Sequence, residues 1–141
     1  MKILVDTNVI LDALTSRAPW NKHAEQIFIL AANRQMDMYL TASSATDIYY
    51  LLRKHLHSTE TAKQMLGKLY TLAGILDVCR EDCIEALTSP INDYEDAVSE
   101  RIACRNIVDY IVTRNLKDYQ TTNMHVVSPD DFLAIMSKLR S

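Results

Sequence analysis

The sequence predicts an α/β fold in which a parallel sheet is covered by helices on both faces. Short apolar segments with the length of buried strands alternate along the chain with longer segments of helical periodicity. Polar and acidic residues directly follow several of the apolar segments, as Asp6 follows Ile3–Val5. Because the carboxyl ends of parallel strands meet at one edge of a sheet, we expect those acids to converge there.

The elements of the first half follow from periodicity and capping residues. A strand at 2–5 leads into a short helix at about 8–14, and a second strand is expected at 38–40. The helix predicted at about 20–33 has this apolar stripe: Trp20, Ala24, Ile27, Phe28 and Ala31. Ser43 or Ser44 is expected to cap the next helix, which runs to about 56. Its stripe is Ile48, Leu51, Leu52 and Leu56.

The second half repeats the alternation. Ser58 or Thr59 starts a helix to about 73, and strands are predicted at 75–78, 110–112 and 126–127. Helices at about 81–88 and 93–105 lie on either side of the break at Ser89-Pro90. The last helix starts with Ser128 as the cap and Pro129 as its first residue. Its apolar residues are Phe132, Leu133, Ile135, Met136 and Leu139.

The composition limits the size and the function of the protein. The 141 residues, 48% of them hydrophobic, suit one domain spanning 1–141. The net charge of −3 argues against binding nucleic acid by bulk charge, so a polyanionic substrate must meet a local basic patch or a bound cation. With only Gly67 and Gly74, the chain has no glycine-rich phosphate loop, dinucleotide turn or nucleophile elbow.

The cysteines and the apolar segments point to a cytoplasmic protein without a membrane segment. Cys79, Cys83 and Cys104 form no C-x-x-C pair and are joined by no Cys/His pair at zinc spacing, which favours a structural role in a reducing compartment. The N-terminus has no signal-peptide pattern. No apolar run approaches the length of about 20 residues that crosses a bilayer.

Two acid-bearing segments lie in the first half of the chain. Asp6, with Thr7 and Asn8 beside it, ends the first strand, and Asp47 lies in the third predicted helix. Each has a structural alternative. Asp6 could simply cap the next helix, and Asp47 could be an acid favoured by the helix dipole.

The third segment is Asn92–Ala97, followed by Glu100. Asn92 as the N-cap and Glu95 as its capping-box partner account for Glu95. The remaining acids, Asp93, Asp96 and Glu100, share one helix face, where like charges cost about 0.2–0.5 kcal/mol per pair. A bound cation would relieve this repulsion.

The fourth segment, 113–119, follows the strand at 110–112. Asn115 and Asp118 offer oxygen ligands, and Arg114 and Lys117 add positive charge; the alternative is a polar loop with a short helical turn. Oxygen-only ligands suit Mg²⁺ or Mn²⁺. Two such ions, about 3.5–4 Å apart, could act on a phosphodiester. The histidines lie outside these segments and are interpreted as surface or packing residues: His23, His55, His57 and His125.

Together these motifs resemble the PIN-domain family over nearly the whole chain. Asp6-Thr7-Asn8 after the first strand resembles the family's opening, and Asp93–Ala97 resembles its D-x-x-D-A segment. The stretch Ile111–Asn115 with Asp118 is similar to its strand-T-R-N-x-x-D motif. Val126–Pro129 followed by Asp131-Phe132-Leu133 resembles its last strand and helix.

The resemblance implies a three-layer α/β/α sandwich and Mg²⁺- or Mn²⁺-dependent cleavage of RNA. It also implies similarity to VapC-type toxins, with a cognate antitoxin and a homodimer as expected partners. The catalytic residues carried over are Asp6, Asp47, Asp96 and Asn115. The metal ligands are Asp6, Asp47, Asp93, Asp96 and Asp118. The substrate-binding residues are Thr7, Asn8, Thr113, Arg114 and Lys117.

Two positions depart from the family pattern. The second acid is usually Glu, and the shorter Asp47 stands there; the fourth position is Asn115, where Asp118 is expected to supply charge. These departures leave open a PIN-like module that binds RNA or protein without cutting. A phosphatase with Asp6 as nucleophile is disfavoured, because that class commonly needs a second Asp at position 8, which is Asn.

Overall fold

Five parallel strands form one sheet in the computed structural model, which describes residues 1–140. The strands are β1 (Lys2–Val5), β2 (Asp37–Thr41), β3 (Ala73–Leu76), β4 (Tyr110–Val112) and β5 (Val126–Val127). Their order across the sheet is β3-β2-β1-β4-β5, and every pairing is parallel. The parallel sheet predicted from the sequence is therefore confirmed.

Helices occupy the connections between the strands. Within the described residues they are α1 (Thr7–Leu14), α2 (Asn21–Ala32), α3 (Ala42–Leu56), α4 (Thr59–Leu72), α5 (Arg80–Ala86), α6 (Tyr94–Arg105) and α7 (Pro129–Arg140). A 3₁₀ turn at Leu116–Tyr119 follows β4. Among residues 1–140, none of the helices is both long enough and apolar enough to cross a membrane.

The central strands are buried on both faces, which creates two cores. Along β1, Ile3 and Val5 pack into one core and Leu4 into the other, as expected when successive side chains point to opposite faces. The first core includes residues of α1, α2, α3, α4 and α7, and the second includes residues of α5 and α6. The sheet thus lies between two helical layers, which confirms the expected three-layer sandwich.

The strand order reverses between β1 and β4, and this reversal positions the site. The two strands pair in register from Ile3 opposite Tyr110 to Val5 opposite Val112. In open α/β sheets, ligands bind beyond the carboxyl ends of the strands at such a switch point. Asp6 and Thr113 are the residues that immediately follow β1 and β4, so both stand at this crevice.

Some predicted boundaries were wrong. Thr41 caps α3 instead of Ser43 or Ser44, because its hydroxyl accepts a hydrogen bond from the Ser44 amide at 3.1 Å. Strand β3 begins at Ala73, where α4 leads into it without a loop, and ends before Val78.

Three side chains predicted on buried stripes are instead exposed: Trp20, Leu51 and Leu139. Trp20 precedes α2 and contacts an arginine, Arg114.

Candidate active site

A cleft of about 530 Å³ opens at the switch point and is lined by six carboxylates. We call it the acidic cleft, and its acids are Asp6, Asp47, Asp93, Glu95, Asp96 and Asp118. They come from the end of β1, from α3, from the start of α6 and from the 3₁₀ turn. The fold therefore brings together acids that are far apart in sequence, including all five residues that we had proposed as metal ligands.

Asp6 is fixed by two hydrogen bonds. One carboxylate oxygen accepts from the Thr7 amide at 2.8 Å and caps α1, and the other accepts from the Thr113 hydroxyl at 2.7 Å. Burial raises the pKa of Asp6 despite these bonds, and the carboxylates of Asp93 and Asp118 raise it further. Thr113 is completely buried and does not line the cleft, so it contacts Asp6 but is not placed to contact a substrate.

Asp96 is buried in the first turn of α6, with 8% of its surface exposed. The buried Tyr119 hydroxyl donates a hydrogen bond to it at 3.3 Å. Burial, together with the charges of Asp6 and Asp93, raises the pKa of Asp96 to about 7. Within residues 1–140 no ion pair involves Asp6 or Asp96, so only neutral donors offset their charge.

The start of α6 differs from the prediction. Asp93 is the N-cap, since its carboxylate accepts from the Asp96 amide at 3.0 Å; the expected cap at Asn92 and capping box with Glu95 were wrong. Glu95 is free to line the cleft, where burial and the charges of Asp47 and Asp93 raise its pKa. Glu100, which we expected on the same acidic face, does not line the cleft.

The remaining predicted residues fall into two groups. Thr7, Asn8 and Asn115 line the cleft. The Asn8 side-chain oxygen is buried and has no hydrogen-bond partner. Arg114 and Lys117 do not line it. Seven further cleft residues were not identified from the sequence, because none belongs to an acidic or motif-like pattern: Leu11, Arg17, Ser43, Ser44, Tyr50, Leu51 and Ser99.

Arg114 is held by a buried acid instead of facing the cleft. Its guanidinium donates to both carboxylate oxygens of Asp12, at 2.7 and 3.2 Å, and lies 4.1 Å from the centre of the Trp20 ring. Arg17 pairs with the same carboxylate at 3.0 Å. Asp12 is 1% exposed. This arrangement gives Arg114 a structural role and counts against our expectation that it binds substrate.

The donors in the cleft suit a hard cation such as Mg²⁺ or Mn²⁺. Carboxylate oxygens and the unpartnered Asn8 oxygen are the ligand type that these ions prefer. A cation would also offset the repulsion that raises the pKa values of Asp6 and Asp96. Among residues 1–140, however, no three His, Cys, Asp or Glu side chains already stand close enough to hold one ion. Mg²⁺ is commonly held by one or two carboxylates, with water completing its coordination, so a site in this cleft does not require three such side chains.

Comparison with known proteins identifies the family. The family model for the PIN domain matches residues 2–117, most of the chain, so the protein belongs to the PIN-domain family. A comparison with curated proteins gave no match.

Solved structures share the fold at low identity. A toxin–antitoxin complex from Klebsiella pneumoniae is 21% identical, covers 90% of this chain and 97% of that one, and has a TM-score of 0.66. The protein PAE2754 from Pyrobaculum aerophilum is 14% identical over 98% of this chain and 90% of that one, with a TM-score of 0.67. VapC20 from Mycobacterium tuberculosis, described as a sarcin–ricin loop cleaving toxin, is 13% identical over 87% and 98%, with a TM-score of 0.65.

Proposed function

We propose that this protein is a metal-dependent endoribonuclease that hydrolyses RNA phosphodiester bonds by means of a metal-activated water. The observation that carries the proposal is the convergence of six carboxylates at the switch point. Asp96 among them is buried and Asp6 is partly buried, and neither has a cationic partner within residues 1–140. Burying a carboxylate without a counterion costs free energy, and a bound cation would compensate these charges. Membership of the PIN-domain family supports the same reaction class.

The acids of the cleft are the proposed metal ligands. Asp6 and Asp96, with Asp47, Asp93 and Asp118 around them, are proposed to hold Mg²⁺ or Mn²⁺. When bound, such an ion lowers the pKa of the attacking water and offsets the charge of the phosphate.

Neighbouring residues orient this set. Thr113 and Tyr119 fix the carboxylates of Asp6 and Asp96 through their hydroxyl groups. The Asn115 amide, at the cleft wall, can donate to a phosphate oxygen without adding a repelling charge.

A biological role as a toxin, neutralised by a cognate antitoxin, is a further part of the proposal. Its support is the shared fold with the Klebsiella pneumoniae toxin–antitoxin complex and with VapC20, which is named as a cleaving toxin. A homodimer and a cytoplasmic location stay predictions from the sequence. The neighbouring reading frame would test the role: a small gene for a DNA-binding protein with a disordered tail is the expected finding.

Asp96→Asn tests the chemistry. The substitution removes a ligand and also a charge that repels phosphate. Cleavage should fall by more than about 100-fold, since losing a residue that merely hydrogen-bonds a metal ligand already costs about 10- to 100-fold. RNA binding should be kept or improved. The measurement is cleavage of mixed single-stranded and structured RNAs with added Mg²⁺ or Mn²⁺ and with chelator, beside a binding assay on the same molecules.

Asp82→Asn is the matched control, because Asp82 is a buried acid that pairs with Arg105 outside the cleft. It should cleave at the wild-type rate. If the wild-type protein binds RNA but cuts none at any metal concentration, the non-catalytic binding module is the correct function. The first residues to examine would then be Asp47 and Asn115.

A further inference from the structure

Two grooves adjoin the acidic cleft along the C-terminal half of α3. The first, of about 420 Å³, is lined by Leu11, Thr15, Arg17, Leu51, Lys54, His55 and His57. The second, of about 440 Å³, is lined by Tyr50, Arg53, Lys54, His57, Ser58 and Thr59. We call the two together the basic groove, since its walls carry Arg17, Arg53, Lys54 and two histidines.

The basic groove shares wall residues with the acidic cleft. Arg17 and Leu51 line both the cleft and the first groove, and Tyr50 lines both the cleft and the second. Lys54 and His57 join the two grooves to each other. The cleft and the two grooves therefore lie side by side along α3.

The charge of the basic groove is opposite to that of the cleft. Of the five residues at 53–57, four are Arg, Lys or His; Glu60, in the first turn of α4, is an acid close to them in sequence. Arg53 donates through Nε to the Thr59 hydroxyl at 3.1 Å, which leaves its terminal nitrogens available. Neither Arg53 nor Lys54 forms an ion pair within residues 1–140.

A simpler explanation accounts for only part of this pattern. Basic residues in the last turn of a helix interact favourably with the helix dipole, and Arg53, Lys54 and His55 lie in the last turn of α3. The dipole does not explain why the grooves lined by these residues adjoin the acidic cleft. It also does not explain Tyr50, which is 62% exposed.

Tyr50 stands where the cleft and the basic groove meet. It lies three residues after Asp47 and three before Arg53, so one helix face presents an acid, an aromatic ring and a cation in succession. An exposed aromatic ring beside basic side chains is how proteins bind single-stranded nucleic acid: bases stack on the ring and phosphates meet the cations.

We propose that the basic groove is the path of a single-stranded RNA whose scissile bond lies in the acidic cleft. This inference rests on the proposed function and adds to it the surface and the residues that hold the strand. A base stacks on Tyr50, and Arg53 and Lys54 contact the phosphates that follow. Asp47 and Lys54 are seven residues apart, about 10 Å along the helix, so the path from the cleft to the basic side chains spans only a few nucleotides. A duplex cannot offer an unstacked base to the ring, so the path selects single strands.

Salt-dependent binding tests the phosphate contacts. The probe is a labelled single-stranded RNA of mixed sequence, titrated in chelator at several salt concentrations so that no cleavage occurs. Arg53→Ala/Lys54→Ala should bind more weakly and should reduce the slope of log K against log salt by about 1.4, because each phosphate contact on a single strand contributes about 0.7. The control is Lys63→Ala/Lys68→Ala, which removes the same charge from exposed positions of α4.

Tyr50 variants test the stacking contact separately. Tyr50→Ala should weaken binding by about tenfold, a typical loss for one stacked base, and leave the salt slope unchanged. Tyr50→Phe keeps the ring and should bind like the wild-type protein. Binding of a duplex of the same sequence should not respond to either variant.

The outcomes separate this inference from the proposed function. An unchanged salt slope in Arg53→Ala/Lys54→Ala, or an equal change in the α4 control, would overturn the RNA path and leave the basic groove to an acidic protein partner. If the predicted slopes and the Tyr50 effect are observed but the wild-type protein never cleaves RNA, the path stands and the nuclease proposal fails. Circular dichroism and thermal unfolding of each variant check the fold, and Arg53→Gln/Lys54→Gln replaces the alanine pair if that pair unfolds.

Discussion

Two kinds of buried or partly buried acid occur in this protein. Asp12 and Asp82 are buried and bind arginines: Asp12 pairs with Arg17 and Arg114, and Asp82 with Arg105 at 2.8 Å. In the cleft, Asp6 accepts hydrogen bonds from the Thr7 amide and the Thr113 hydroxyl, and Asp96 accepts one from the Tyr119 hydroxyl. Neither acid forms an ion pair within residues 1–140.

The contrast is visible in the pKa values. Burial opposes ionisation of Asp82, but hydrogen bonds from Arg105 and Cys79 hold its pKa below the usual value. In the cleft, burial and neighbouring carboxylates raise the pKa values of Asp6 and Asp96. Burial alone therefore does not identify a functional acid. An acid that lacks a counterion is the better indicator of function, because an acid whose neighbours oppose its ionisation does not stabilise the fold.

The largest effect on stability should come from Asp12→Asn. The change leaves two arginines without their counterion, and the free energy of unfolding should fall by about 3 kcal/mol, near the lower end for a buried pair because both arginines are partly exposed to water. Urea denaturation at neutral pH measures this. A loss below the error of the method would mean that the Asp12 pairs contribute nothing, and the contrast between the two kinds of acid would disappear.

A smaller effect of opposite sign is expected from Asp96→Asn. With the folded pKa of Asp96 at about 7 against the usual 3.8, the folded protein keeps a proton that the unfolded chain has released. Stability without metal should therefore decrease as the pH rises between about 4 and 7, by at most about 1.4 kcal/mol per pH unit. Asp96→Asn removes this loss. The full shift corresponds to about 4 kcal/mol, but Asp118 shares a hydrogen bond with Asp96 and can take up part of the proton, so the variant should be more stable than the wild type by about 1–2 kcal/mol at pH 8 and equal to it at pH 4.

Thermal unfolding in chelator across this pH range is the measurement. Asp37→Asn changes an exposed acid of β2 and should follow the wild-type curve. If the stability of the wild type and that of Asp96→Asn changed with pH in the same way, Asp96 would ionise in the folded protein as easily as in the unfolded chain.

The smallest effect belongs to Asp82→Asn. The carboxylate of Asp82 accepts from the Cys79 amide at 2.9 Å and from Arg105, which is partly exposed, so its loss should cost about 1 kcal/mol at neutral pH. The pKa of Asp82 is lower in the folded protein than in the unfolded chain. Its carboxylate therefore stabilises the fold at any pH above the unfolded-state pKa, and this stabilisation is lost as the pH falls through the folded-state pKa. The difference between wild type and variant in denaturation should thus vanish in strong acid; a constant difference would point to packing instead of charge.

The sequence predicts the sheet and the position of the acids because both depend on local patterns. Apolar runs define the strands, and Asp6, Asp47, Asp93 and Asp96 stand at recognisable places relative to strand ends and helix starts. Glu95 was misassigned because a capping pattern explained it, and shifting the cap by one residue to Asp93 reverses that interpretation.

The partners of the arginines could not be predicted. Arg114 follows a strand end beside Asn115, which favours a substrate contact from sequence alone. Its true partner, Asp12, is 102 residues away and meets it only because β1 and β4 are neighbours. The basic groove likewise depends on how α3 turns into α4, which no local pattern specifies.

Calorimetric titration of Mg²⁺ and Mn²⁺ tests the central claim most directly, namely that the unpaired acids of the cleft form a cation site and the paired ones do not. The wild-type protein and Asp82→Asn should bind the ions alike. Asp6→Asn should lose most of the affinity yet remain folded, because it relieves repulsion among the cleft carboxylates. Equal binding by Asp6→Asn and the wild type would contradict the claim.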